Sequence, residues 1–148
     1  MSETITPERV YFRLIRLNRR LFSEMGQTLK ATGLSIPQFD VLSTLTEAEG
    51  LSQSDLAARL YVTKGNVSGL IDRLVEAGLV ERRNAPDDRR SNAVFLTLKG
   101  RKLAEEGITL QKAFVTDTIG TIAQGELDRL DCLLIQWRDA VRDRKAKK

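Results

Sequence analysis

The chain has 148 residues, a length typical of one domain and sufficient to bury a core without a disulfide or a metal. Hydrophobic residues make up 41% and charged residues 30% of it, as in ordinary globular proteins. No apolar run approaches the roughly 18 residues that a membrane span requires, and the N-terminus lacks the basic and apolar regions of an export signal. The chain contains one cysteine and no histidine, which excludes an internal disulfide, Ser-His-Asp and Cys-His catalysis, and every metal site that uses histidine.

These absences also bear on location and chemistry. A single cysteine is typical of a reducing compartment, so we expect a cytoplasmic protein. The ten glycines are scattered one by one and form no phosphate-binding loop. Because no group of residues points to catalysis, we expect no enzymatic activity, no cofactor and no metal site.

Two helices are predicted in the first third of the chain. Thr6 and Pro7 form a favourable helix start, and apolar residues then recur at helical spacing as far as Leu29. The segment from Ser35 to Gln38 has the pattern of a capping box, which begins a second helix that extends to about residue 48. Leu51 is a candidate for a short strand.

The segment from Gln53 to Leu70 has the pattern of a helix-turn-helix. Ser52 is placed to cap a helix over about 53–60, and Thr63 is placed to cap another over about 64–77, which Gly78 ends. Apolar residues fill the positions where two steeply crossing helices pack, and a small residue lies where their backbones come closest: Leu56, Leu60, Val62, Val67 and Leu70, with Ala57 as the small residue. Tyr61 stands at the turn position that is often glycine, so we expect a different turn geometry there.

The second helix of this pair divides into two faces. Its apolar face is expected to point to the core, and consists of Val67, Leu70, Ile71 and Leu74. Small, hydrogen-bonding or basic residues remain on the outside: Thr63, Lys64, Gly65, Asn66, Ser68, Gly69 and Arg73. Glycine costs a helix about 0.5–1 kcal/mol relative to alanine, so two outward glycines suggest that a partner approaches closely. The simpler alternative is a helical hairpin with a solvated polar face.

A two-stranded hairpin is predicted next, over about 79–84 and 92–98. A helix-turn-helix followed by such a hairpin is a winged helix, and the hairpin tip is expected to carry Asp87, Asp88, Arg89 and Arg90. An arginine at a hairpin tip can enter a DNA minor groove, and a nearby aspartate can orient it; an isolated solvated ion pair is the alternative. Residues 59–102 contain ten basic and five acidic side chains, so the excess positive charge of the chain lies here and favours a polyanionic partner.

Two further helices are predicted, over about 99–118 and about 124–144. The last one has an apolar seam at i, i+3, i+7 spacing, formed by Leu127, Leu130, Leu134, Trp137 and Val141. This seam requires a partner, which is either the first helix of the same chain or a second copy of the chain.

The segment from Leu51 to Gly100 resembles the winged-helix domain of the MarR family of bacterial transcription regulators. The resemblance covers about half the chain and includes "VSGLIDRLVEAGLVERR", the Asp-x-Arg tip and the closing "LT..G" in the same order. It implies a mainly α fold of about six helices with a two-stranded wing, in a single domain over residues 1–148. The winged-helix core would span 34–100, and the helices at 6–31 and 101–145 would interleave in an obligate homodimer.

The resemblance also implies a function, which is sequence-specific binding of double-stranded DNA by a transcriptional regulator. The protein would repress from a pseudo-palindromic operator and would be released by a small phenolic or anionic effector. The expected DNA-contacting residues are Thr63, Lys64, Gly65, Asn66, Ser68, Gly69, Arg73, Asp88, Arg89 and Arg90. The candidate effector-binding residues are Tyr11, Arg13 and Arg16. The arginine stripe Arg9, Arg13, Arg16 and Arg20 is also compatible with a solvated face, or with pairing to Asp128 and Asp131.

Two alternative functions remain compatible with a winged helix. One is a redox- or metal-responsive sensor, which the lack of histidine and the single cysteine disfavour. Some members of the family sense peroxides through a cysteine in the first helix, whereas Cys132 lies in the last helix beside Asp128 and Asp131, and acidic neighbours do not favour a reactive thiolate. The other is a protein-interaction module, which would bind DNA weakly and without a preferred sequence.

Overall fold

The computed structural model describes residues 4–60, 62–85 and 88–146. Within these ranges, the structure describes only the backbone at positions 64, 85, 88–92, 145 and 146. The chain forms two compact units, Met1–Lys112 and Ala113–Lys148. The prediction of one domain with a core at 34–100 follows the family resemblance and stays a prediction.

The first two helices begin where the sequence predicts them. Helix α1 spans Pro7–Thr28, and the Thr6 side chain accepts a hydrogen bond from the backbone N–H of Arg9. A short 3₁₀ turn, Leu29–Thr32, leads to α2, which spans Ile36–Glu47. The capping box is present in full: Ser35 Oγ accepts from the Gln38 N–H at 3.3 Å, and Gln38 Oε1 accepts from the Ser35 N–H at 3.0 Å. Reciprocal pairing of this kind satisfies two backbone donors that a helix start otherwise leaves open.

The helix-turn-helix consists of α3, Gln53–Leu60, and α4, Lys64–Glu76. Leu56, Ala57 and Val67 are buried, as predicted, whereas Leu60 and Leu70 are half-buried at the edge of the core. The prediction for Val62 is wrong, since its side chain is 43% exposed. Its backbone N–H donates to the Ala57 carbonyl at 3.1 Å, and this reverses the chain before α4 begins and leaves the side chain outside the core. Tyr61, expected in the turn, lies outside the described residues.

The sheet has three strands in the order β1-β3-β2: β1 is Leu51–Ser52, β2 is Val80–Ala85 and β3 is Asp88–Leu96. The predicted hairpin is therefore present, and the candidate strand at Leu51 adds a third, antiparallel partner to β3. Strand β3 begins four residues earlier than predicted, so Asp88, Arg89 and Arg90 belong by their backbone to the strand and not to a tip loop. This polar segment is part of the strand because its backbone pairs with β2. Asn84 pairs with Asn92 and, after an irregularity in the register, Ala85 pairs with Asp88.

One hydrophobic core lies within Met1–Lys112. Every secondary structure element of the winged helix contributes to it, and fully buried side chains include Phe39, Leu42, Leu45, Leu56, Val67, Ile71, Leu74 and Val94. The inward residues of the hairpin, Val80, Val94 and Leu96, alternate with outward ones, which is the period expected for a sheet with one buried face. The core thus packs α3, α4 and the hairpin against one another.

The last two helices are α5, Leu98–Asp117, and α6, Gln124–Ala146, with a 3₁₀ turn at Ile119–Thr121 between them. Leu98 was expected to continue the strand, but it begins α5 and is 89% exposed. The strand ends there because the Thr97 side chain accepts from the Gly100 N–H at 3.0 Å and caps the helix. Among the described residues, no helix combines the length and apolar character that crossing a bilayer requires.

Candidate nucleic-acid interface

Helix α4 is fixed at both ends by its own sequence. At its start, the Thr63 hydroxyl accepts from the Asn66 N–H at 3.3 Å. At its end, Gly78 adopts a left-handed φ of 72°, and the N–H groups of Gly78 and Leu79 donate to the carbonyls of Val75 and Leu74. This pair of bonds is the Schellman arrangement, which stops a helix at a glycine. The direction of α4 is therefore set before any partner binds.

The outer face of α4 carries most of the predicted DNA-contacting residues. Thr63, Asn66 and Arg73 are exposed, whereas Ser68 is half-buried and thus less accessible than predicted. Gly65 and Gly69 are exposed, and a methyl group added at either position would meet no atom of the chain within 4 Å. The space beside the two glycines is therefore open to an incoming molecule. The side chain of Lys64, also predicted here, lies outside the described residues.

The N-terminal turn of α4 provides the chemistry that an anion requires. The first backbone N–H groups of a helix have no partner within the helix, and its dipole is positive at this end. The cap of Thr63 uses one of these donors, and the others point along the helix axis. Since the exposed side chains at this end include the Thr63 hydroxyl and the Asn66 amide, it suits phosphate oxygens and base edges.

The hairpin of β2 and β3, called the wing from here on, follows α4 directly. Its strands pair in antiparallel register from Val80 with Leu96 to Asn84 with Asn92. Three predicted DNA-contacting residues, Asp88, Arg89 and Arg90, occupy the first positions of β3, next to the connection between the two strands. Their side chains lie outside the described residues, so their predicted minor-groove role stays a prediction.

Arg82 in β2 was not singled out from the sequence. Its Nε donates to Gln53 Oε1 at 2.9 Å, and its Nη2 lies 2.5 Å from Asp72 Oδ1. One guanidinium therefore contacts the first residue of α3 and a residue of α4 from the wing. The signal in the sequence is an arginine at a strand position whose neighbours in the alternation, such as Val80, face the core.

Arg83, the next residue, points to the opposite face of the wing. It pairs with Glu81 of its own strand, and its guanidinium lies over the ring of Phe95, 4.3 Å from the ring centroid. A cation over an aromatic face gains about 0.5–1 kcal/mol at an exposed site. These contacts stay within the wing, in contrast to those of Arg82.

The closing "LT..G" motif joins the end of α4 to the start of α5. Thr97 Oγ1 donates to the Gly78 carbonyl at 2.7 Å, and Lys99 Nζ donates to the Ala77 carbonyl at 3.2 Å. Gly100 packs so closely on Leu79 that a Cβ atom at this position would overlap the Leu79 carbonyl oxygen. The motif therefore fixes the start of α5 against the end of α4.

The candidate effector-binding residues lie on α1. The Tyr11 ring packs edge-on against Phe12, with centroids 5.4 Å apart, and both rings are about half exposed. Arg13 and Arg16 are exposed on the same helix. These three residues share one helix, and their effector-binding role stays a prediction.

Three observations bear on other chemistry. Among the described residues, no three His, Cys, Asp or Glu side chains are grouped so that they could hold a metal ion. Cys132 is a free, exposed cysteine in α6. Asp40 in α2 is partly buried, and desolvation raises the pKa of its carboxyl group.

The sequence matches a model described as the MarR family over residues 32–91. A relative from Bacillus subtilis, the HTH-type transcriptional repressor YetL, is 31% identical over 99 residues, which are 66% of this chain and 59% of that protein. The segment that the family model matches includes α3, α4 and β2, so this similarity covers the helix-turn-helix and the first strand of the wing.

Solved structures extend the likeness to most of the chain. AbsC, a MarR-family transcriptional regulator from Streptomyces coelicolor, superimposes with a TM-score of 0.85 at 27% identity, covering 96% of this chain and 99% of that one. Streptococcus pneumoniae FabT, solved in complex with DNA, shares the fold with a TM-score of 0.81 at 22% identity, covering 93% and 99% of the two chains. The family of these relatives consists of winged-helix transcription regulators and not of enzymes. Residues 32–91 therefore match the MarR family of transcription regulators in sequence, and most of the chain has the fold of MarR-family regulators.

Proposed function

We propose that this protein binds a specific double-stranded DNA operator as a homodimer and represses transcription until a small effector releases it. The observation that carries the proposal is the outer face of α4, where hydrogen-bonding side chains and two glycines with open space beside them face outward next to the wing. Such a face fits a major groove, since short side chains allow the helix backbone to approach the base edges.

The predicted contacts divide into two kinds. Thr63, Lys64, Asn66, Ser68 and Arg73 would read base edges or bind phosphates from α4, with Gly65 and Gly69 allowing close approach. Arg89 and Arg90 would reach the minor groove from the wing, with Asp88 orienting the guanidinium. The excess of positive charge in residues 59–102 supports this assignment, because DNA affinity depends strongly on phosphate neutralisation.

The homodimer is supported by apolar residues that the single chain leaves exposed. In α6, Leu133, Leu134 and Val141 are 52%, 43% and 56% exposed, and in α1 Phe12 and Phe22 are each 56% exposed. Exposed apolar side chains in such number on two helices favour burial against a second copy. Two copies would present two α4 helices, and a two-fold axis between them requires a pseudo-palindromic operator.

Repression and effector release are proposed on narrower grounds. YetL, which is 31% identical to this chain over 99 residues, is named a transcriptional repressor. An effector of phenolic or anionic character would suit Tyr11, Arg13 and Arg16 on α1. A panel of aromatic carboxylates and phenols, added to the protein–operator complex, tests release directly, and release that Arg13→Gln and Arg16→Gln both weaken supports these residues as its site.

Selection of binding sequences from a random duplex pool tests the central proposal, because it needs no knowledge of the operator. We expect enrichment of one pseudo-palindrome whose half-sites lie about one helical turn, roughly 10 base pairs, apart. Recovery of unrelated sequences after successive rounds, with no shared motif, would overturn specific DNA reading and would favour the protein-interaction module.

A further inference from the structure

Arg82 lies at a position of β2 where the alternation of the strand predicts an apolar residue. Its register partner across the wing is Val94, which is fully buried, and Val80 two residues earlier is also buried. The Arg82 side chain is itself only 25% exposed. Hydrogen bonds stabilise a guanidinium that is largely covered in this way, because covering a charged group without a partner costs free energy.

The partners of Arg82 lie on the two helices of the helix-turn-helix. Nε contacts Gln53 in α3, and Nη2 contacts Asp72 in α4. Both nitrogens belong to one planar group, so satisfying both bonds fixes the direction of the wing strand relative to each helix. Asp72 lies three and seven residues after Gly69 and Gly65, on the side of α4 that the glycines leave open.

We propose that Arg82 is a positioning residue for DNA reading, whose guanidinium holds α4 and the wing in the relative orientation that lets both enter the DNA at once. The inference rests on the proposed function, since it assigns no DNA contact to Arg82. Binding two grooves with one rigid unit avoids ordering the second element after the first has bound. Without the Arg82 bonds, contacts from the wing therefore add less to the DNA affinity that α4 provides.

Arg83 provides the matched control. It is adjacent, carries the same charge and belongs to the same strand, but its contacts to Glu81 and Phe95 remain within the wing. Arg82→Gln and Arg83→Gln therefore remove equal charge from the neighbourhood of the DNA, and only the first removes the link to the helices. Arg82→Lys keeps the charge but lacks the planar fork.

The test measures binding of the selected operator by fluorescence anisotropy for each variant, alone and combined with Arg90→Ala. We expect Arg82→Gln to weaken binding about tenfold more than Arg83→Gln, and Arg82→Lys to resemble Arg82→Gln. We also expect the loss caused by Arg90→Ala to be at least about fivefold smaller in the Arg82→Gln background than in the wild type, and unchanged in the Arg83→Gln background. Equal and additive losses for the two glutamine variants would overturn the proposal, because Arg82 would then contribute charge alone.

Asp72→Ala keeps the proposal testable if Arg82→Gln fails to fold. Asp72 is 62% exposed, and alanine is a good helix former, so this variant should fold. Removing a negative charge beside DNA should by itself tighten binding. We expect weaker binding and a smaller effect of Arg90→Ala, whereas tighter binding with an unchanged effect of Arg90→Ala would contradict the positioning role. A wild-type protein that selects no operator would instead refute the proposed function.

Discussion

At the scale of single residues, Gly100 shows how one absent carbon determines packing. A Cβ atom at this position would overlap the backbone carbonyl of Leu79, and backbone is unable to move aside as a flexible side chain does. We expect Gly100→Ala to lower the free energy of unfolding by about 2–4 kcal/mol, as overpacking against rigid neighbours does. Urea unfolding followed by circular dichroism measures this loss.

Gly125 is the control for this substitution. It lies near the start of α6, and an added Cβ would meet no atom within 4 Å. Gly125→Ala should leave stability unchanged or raise it by up to about 1 kcal/mol. If the two substitutions changed the free energy of unfolding equally, the close packing of Gly100 on Leu79 would not explain the effect of Gly100→Ala.

Asp40 leads to a prediction about pH. Desolvation raises the pKa of its carboxyl group in the folded protein, so ionised Asp40 destabilises the fold relative to the unfolded chain. This cost is present at neutral pH, shrinks as pH falls through the raised pKa and is absent below the pKa of the unfolded chain. Asp40→Asn should therefore raise the melting temperature at pH 7, and the difference should vanish in acid.

Glu24→Gln is the matched control, because Glu24 is an exposed carboxylate on α1. Glu24→Gln should not give the gain in melting temperature at pH 7 that Asp40→Asn gives. If Asp40→Asn gave the same gain at pH 7 and in acid, ionisation of Asp40 would not be its cause.

At the scale of elements, α4 is where stability and function are expected to oppose each other. An alanine at Gly65 would meet no atom of the chain within 4 Å and favours a helix. We expect Gly65→Ala to stabilise the protein by about 0.5–1 kcal/mol. We also expect it to weaken operator binding by at least about tenfold, since the added methyl would stand between the helix and the DNA. Thermal unfolding and anisotropy titration on the same sample measure the two effects.

A second variant separates steric exclusion from a change in the helix. Gly125→Ala makes the same chemical change in α6 and should leave operator binding unaltered. If Gly65→Ala bound the operator as tightly as the wild type, the open space beside α4 would not be occupied by DNA.

The elements that could be predicted from the sequence are those with local signals. The capping box at Ser35, the cap at Thr63 and the stop at Gly78 depend on residues within a few positions of each other, and all three are present. The start of β3 was missed because its first residues are polar and lack alternation. Their strand conformation depends on pairing with β2, which propensity alone does not reveal.

In the candidate site, too, the features that could be predicted are those with a local sequence signal. The outer face of α4 follows from helical periodicity, which separates Asn66 and Arg73 from Ile71 and Leu74. The link from Arg82 to Gln53 joins residues 29 positions apart, and no local pattern indicates that separation. The exposure of Val62 depends on a backbone bond to Ala57 that shapes the turn, and residue type does not specify such a bond.

At the scale of the whole molecule, the central expectation is a homodimer whose interface includes α6. Leu134 and Val141 lie seven residues apart and are both exposed in the single chain. We expect Leu134→Glu to shift the protein from dimer to monomer and to abolish operator binding, because a charge in an apolar interface is strongly unfavourable. Sedimentation velocity measures the first effect, and anisotropy measures the second.

Gln136→Glu introduces the same charge at an exposed polar position of α6. It should leave both the dimer and operator binding in place. A Leu134→Glu protein that sediments as the wild type does would exclude this face of α6 from the interface.

The most direct test of the account is an anisotropy titration of the wild-type protein against its selected operator and a scrambled duplex, over a range of salt concentrations. We predict an affinity for the operator about 10³-fold or more above that for the scrambled duplex. We also predict a steep fall of affinity with salt, of the size expected when several phosphates are neutralised. Equal affinity for the two duplexes at every salt concentration would contradict sequence-specific DNA binding by this winged helix.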